Sequence, residues 1–109
     1  MQITLRIDGK DKTFVNDFVS ARIFRKALEL NEEFKNKSNL VEQLDALAEF
    51  VVTTFDKQFT LDELWDGLPT GEFNTELMRI FNEVLALEGF ALVGEQDDEG
   101  KSQEALTNQ

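Results

Sequence analysis

The chain has no cysteine, no histidine and no tyrosine, and only one proline and one tryptophan. Without cysteine there are no disulfides and no thiolate metal sites, so stability must come from packing, and a reducing compartment is compatible. With histidine also missing, the usual general base and the usual strong nucleophile are both absent. The glycines are scattered singly and form no phosphate-cradling loop. No stretch approaches the roughly 20 apolar residues of a membrane span. The best apolar run, Ala46 to Val52, is seven residues long and contains Glu49. Positive charge is scarce as well. From Ser38 to Gly94 eleven acidic residues face only Lys57 and Arg79. The last fifteen residues add Glu95, Asp97, Asp98, Glu99 and Glu104, with Lys101 as the one cation.

What is present is an acidic, Phe-rich chain of 109 residues with 41% apolar content and a net charge of −11. That length is one domain, and it buries roughly two-thirds of its unfolded surface. The charge is uneven: residues 1–37 carry eight cations and six anions (+2), residues 38–94 two and eleven (−9), and residues 95–109 one and five (−4). A field of that sign repels nucleic acid and anionic lipid and favours a cationic partner. A plain solvated surface that keeps the chain soluble accounts for it equally well. The opening residues read as neither a signal nor a transit peptide, so the chain is expected to stay in the cell that makes it.

Ile3, Leu5 and Ile7 alternate with Gln2, Thr4 and Arg6, the period of a half-buried strand. Asp8-Gly9 offers a positive-φ turn and residues 12–15 return as a second strand. Loops of two or four residues both put Phe14 on the face of Leu5 and Ile7. Ser20 then reads as an N-cap, followed by Ile23, Phe24, Ala27, Leu28, Leu30 and Phe34 at helical spacing. Asn39 with Glu42 resembles a capping box opening a second helix to about residue 55, with Leu40, Val41, Leu44, Leu47, Ala48, Val51, Val52 and Phe55 as its stripe. Thr60-Leu61-Asp62-Glu63 is a better box, starting a short helix that Gly67 ends. Pro69 breaks the chain after it. A last helix runs from about Glu72 to Leu87, and Gly89 stops it. The fold class expected is mainly α: a small N-terminal β-hairpin, then about four helices packed as a compact bundle over residues 1–94. Residues 95–109 hold too little apolar surface to offset ordering entropy and read as a disordered acidic tail.

Catalysis needs a carboxyl raised in pKa by burial, and Glu29, Glu32 and Glu33 share a helix face with cations. Asp56 to Gly67 lacks the alternating oxygen ligands of a calcium loop, and Asp62 and Glu63 suit the first turn of a helix. No catalytic residue, metal or cofactor is assigned, and the chain reads as an interaction protein. Arg22, Arg25 and Lys26 are balanced by acids a turn further on and make helix salt pairs a better account than nucleic-acid contact. Trp65 with Leu68 is either a core plug or a partner anchor. Phe90 and Leu92, in the apolar run after Gly89, are the other candidate partner contacts.

One resemblance rests on an ordered set of segments: Ile3-Thr4-Leu5-Arg6-Ile7-Asp8-Gly9-Lys10, Phe14, residues 21–30, Phe50-Val51-Val52, Phe55, Gln58-Phe59-Thr60 and Asp62-Glu63-Leu64-Trp65-Asp66-Gly67-Leu68. Over roughly residues 1–88 the chain resembles the tail assembly chaperones of long, non-contractile-tailed phages and prophages, particularly those of Gram-positive hosts. The resemblance implies a non-enzymatic protein of the host cytoplasm that binds and solubilises the tape measure protein. It would help recruit tail tube subunits and be absent from the mature virion. It also implies a longer form made by ribosomal frameshift, for which Glu99-Gly100-Lys101 can encode a slip site. The coding DNA tests this: other codons there, with no open −1 frame beyond, would rule it out. A rival from another class is a small acidic DNA-mimic inhibitor of a nucleic-acid-binding protein. It would need carboxylates spaced like phosphates along one exposed face.

Overall fold

Asp8 and Gly9 both take positive φ, 55° and 76°, the two-residue turn whose twist suits a tight hairpin. The turn joins β1 (Gln2–Ile7) to β2 (Lys10–Val15) in antiparallel register, with Ile3 opposite Phe14 and Ile7 opposite Lys10. Phe14 therefore lies on the Ile3–Leu5–Ile7 face, as the pattern requires. Four helices follow: α1 (Ala21–Phe34), α2 (Leu40–Thr54), α3 (Leu61–Gly67) and α4 (Phe73–Leu87). The structure, a computed structural model, describes residues 1–36 and 39–90. The expected tail at 95–109, and Leu92, lie outside the described residues.

The expected hairpin and four helices are all present, and their ends follow local chemistry. Thr60 and Glu63 make the full reciprocal box: the Glu63 N–H donates to Thr60 Oγ1 (3.0 Å) and the Thr60 N–H to Glu63 Oε1 (2.9 Å). Asn39 achieves half of one, its Oδ1 accepting from the N–H of Val41 and Glu42. Ser20 sits at the N-cap of α1 without a side-chain cap bond. Leu68 is extended (φ −117°, ψ 138°), as the residue before Pro69 must be.

α2 and α4 pack together at the centre, α1 lies against both, and α3 bridges α2 and β1. Ile3 and Leu5 seal one side of a core containing Ala27, Val51, Phe55, Leu64, Leu77, Ile80 and Phe81, each at most 1% exposed. A lone hairpin is marginal in water, and this one is anchored by side chains. Asn16 Nδ2 donates to the Thr54 carbonyl (2.7 Å), Gln58 Nε2 to the Val15 carbonyl (2.9 Å) and Arg79 to the Gln2 carbonyl (2.9 Å). Arg79 also binds Glu76 and Glu83 of α4. The hydrogen bond to Glu76 holds its pKa above the ordinary arginine value, against the opposing effect of desolvation. Thr54, the buried polar residue, donates to the Phe50 carbonyl (2.9 Å) and is satisfied.

Candidate apolar docking grooves

The turn between α3 and α4, closed by the Glu72 N–H donating to the Pro69 carbonyl (3.1 Å), borders an aromatic surface groove. Trp65, on α3, stacks on Phe73 at the start of α4 with ring centroids 4.2 Å apart and planes 24° from parallel. Leu44, Trp65, Leu68, Thr70, Gly71, Phe73 and Asn74 line an open groove of about 530 Å³. Trp65 is half-buried: one ring face is occupied by Phe73, and the indole is neither a core plug nor fully free. Of the four residues singled out from sequence, the structure brings Trp65 and Leu68 together here. Phe90 does not line this groove. It stands 51% exposed, its ring edge-on to Phe24 at 5.2 Å.

Beyond the groove, the helix face that carries Leu44 is apolar toward the start of α2. Leu40 and Val41 are 66% and 64% exposed, and they precede Leu44 by four and three positions, the spacing that shares one helix face. Their place in the apolar stripe suggests core, but the stripe begins a turn before the neighbouring elements can cover it. Leu44 and Phe73 read as core positions; Phe73 does pack against the core, and both also line the groove. The sequence around the lining residues is acidic, with Asp62 and Asp66 near Trp65, Asp45 after Leu44 and Glu72 before Phe73. Asp66 and Glu72 line, with Leu68 and Arg6, an adjoining groove.

A second groove, of about 630 Å³, lies between the segment before α1 and the end of α4, lined by Met1, Asn16, Asp17, Phe18, Val19, Glu83, Ala86 and Leu87. Phe18 is 79% exposed and Leu87 67%. Nine of the ten Phe residues pair with another aromatic ring. Phe18 is the one without such a pair among the described residues, and sequence reasoning passed it over. Its signal was its position, in a short linker outside any helical stripe.

The basic cluster of α1 is a solvated helix face, with Arg22, Arg25 and Lys26 exposed and Arg25 bonded to Glu29 (3.3 Å), while Glu32 pairs with Lys35 just past the helix (3.2 Å). Among the described residues no group of three or more acidic side chains is placed to hold a metal ion, and no helix is long and apolar enough to cross a membrane. The surface thus offers apolar grooves, the second with Asp17 and Glu83 in its lining, which is chemistry for holding a partner. Compared with known families, the chain matches the model described as phage tail chaperone protein over residues 1–108. No curated protein and no solved structure matches it.

Proposed function

From the premise that the chain belongs to the phage tail chaperone family, we propose that it binds and solubilises the tape measure protein and helps recruit tail tube subunits around it. A tail assembly chaperone needs exposed apolar surface to hold a client and enough charge to keep the loaded complex apart from others. The observation that carries the reading is the Trp65–Phe73 groove, an apolar surface set in a stretch, residues 38–94, with a net charge of −9. In this reading Trp65, Leu68, Phe90 and Leu92 are client contacts, with Phe90 exposed outside this groove. The work is non-enzymatic and done in the host cytoplasm before the tail is complete, and the chaperone is left out of the mature virion. A longer frameshifted form would carry the tube-recruiting part.

The test is co-expression with the tape measure protein of the same genome, read by solubility and pull-down. The expected result is tape measure fragments that are soluble only with this chain and that co-purify with it. Fragments that stay insoluble and unbound beside a folded chain would refute the proposal.

A further inference from the structure

We propose that the groove of Leu44, Trp65, Leu68 and Phe73, together with the Leu40 and Val41 face beyond it, takes an amphipathic α-helix whose apolar stripe is edged by lysine or arginine. This deepens the chaperone reading and rests on it only for the identity of the client.

Three observations select that occupant. The apolar strip runs from the first turn of α2 to the turn after α3 and is open to solvent. That shape suits the recurring apolar anchors of a helix lying in a groove. The charged residues adjacent in sequence or one helical turn away from the lining residues, Asp45, Asp62, Asp66 and Glu72, are carboxylates. The cation that shares an adjoining groove with Asp66, Leu68 and Glu72 is Arg6, and it is paired with Asp11. Between residues 39 and 90 the cations are Lys57 and Arg79, and neither lines the groove. Arg79 is moreover engaged by Glu76, Glu83 and the Gln2 carbonyl. An apolar helix without cations would leave those carboxylates uncompensated, and an acidic one would be repelled. The half-buried indole, already stacked on Phe73, is the anchor around which such a helix would pack.

Trp65 is the sole tryptophan, so its emission reports occupancy of this groove directly. The probe is a synthetic, tryptophan-free helical peptide of about 18 residues, or five turns, with a leucine stripe and lysine flanks. Its twin carries glutamate in place of every lysine. The expected result is a blue shift of Trp65 emission with the lysine peptide, weakening as salt is added, and none with the twin. Leu40→Asp and Val41→Asp should each weaken binding by about tenfold or more, the loss typical of an interface anchor. Both side chains are exposed in the first turn of α2, where a carboxylate suits the helix dipole, so circular dichroism and Tm should stay as in the parent. Phe18→Asp, in the other groove, should leave binding intact.

No binding of the lysine peptide, equal binding of the twins, binding without a shift, or loss with Phe18→Asp but not Leu40→Asp would each overturn the proposal. The co-expression assay separates the two readings. Solubilisation of tape measure protein undiminished in the Leu40→Asp and Val41→Asp chains sinks the groove and keeps the function. Peptide binding with the expected variant pattern, beside a tape measure protein that stays insoluble, keeps the groove and sinks the function.

Discussion

Replacing Gly67 with alanine would put a methyl group into the seam where α3 meets β1. A Cβ at Gly67 would stand 2.9 Å from Leu5 Cβ and 3.2 and 3.3 Å from the backbone O and N of Arg6. None of the three is the loose end of a side chain. Leu5 is fully buried, and Arg6 is held in register opposite Asp11, so relief requires α3 or β1 to move as a body. Overpacking of this kind costs about 1–3 kcal/mol. Alanine returns up to about 1 kcal/mol through helix propensity and a less entropic unfolded chain. The return is partial because Gly67 is the last residue of α3. The net expectation is a destabilisation of about 1–2 kcal/mol, or roughly 5–10 °C in Tm for a domain of this size. Urea unfolding followed by Trp65 fluorescence measures it, and Gly67→Val should be worse than Gly67→Ala. Gly9→Asn supplies the contrast: no atom lies within 4 Å of a Cβ there, and φ is +76°, which asparagine tolerates. Equal or higher stability for Gly67→Ala, with the hairpin retained by NMR, would refute the claim that α3 is seated on the strand backbone.

Other perturbations test other joints. Thr60→Ala removes the hydroxyl half of the capping box and should cost about 1 kcal/mol by chemical denaturation; an unchanged midpoint would mean α3 is held by packing alone. Phe81→Ala empties a fully buried site between the rings of Phe50 and Phe34. A loss of about 3–5 kcal/mol, measured by calorimetry, would bring a domain of ordinary stability close to unfolding. Arg79→Met cuts the tie from α4 to the Gln2 carbonyl. The arginine side chain is 38% exposed, so screening limits the expected loss to about 1 kcal/mol, shrinking in salt. The raised pKa of Arg79 adds stability that is complete below the unfolded value and fades only as pH rises through the folded one. The loss measured for Arg79→Met should therefore be flat across the neutral range, and a dependence arising there would point to another group.

The elements were legible because each had a short-range cause. The alternation of Ile3, Leu5 and Ile7 marked a strand, Asp8-Gly9 marked its turn, and Thr60 with Glu63 marked the start of α3. Register followed once the turn was two residues long. The surface was much less legible. Helical periodicity reports which residues share a face, but not how far along the helix a neighbour extends. Leu40 and Val41 lie on the same stripe as Leu47 and Ala48, yet the latter two are at most 2% exposed. Only the lengths and crossing of α2 and α3 decide the difference, and those are tertiary facts. Trp65 was ambiguous for a similar reason: its helix is too short to show a face, and its partner Phe73 lies beyond the Pro69 break.

That stack is the reason for proposing the Trp65 groove as the docking surface although Phe18 is the more exposed ring. Binding through a side chain that must first be immobilised loses roughly 0.5–1.5 kcal/mol per residue. Trp65 has one face already fixed by Phe73, and Leu44 and Leu68 hold the walls beside it. Phe18 has no ring partner among the described residues, and the hydrogen bond of its N–H to Asn16 Oδ1 fixes its backbone rather than its ring. On the proposed reading, a client helix would meet a stacked anchor in one groove and an exposed, unstacked ring in the other. If preorganisation decides the choice, Phe73→Ala should weaken helix binding by unseating Trp65 even where Phe73 itself touches the client little. The signature would be a red-shifted Trp65 emission in the free chain, together with a faster off-rate. Weakened binding with the free-chain spectrum unchanged would mean instead that Phe73 acts by direct contact.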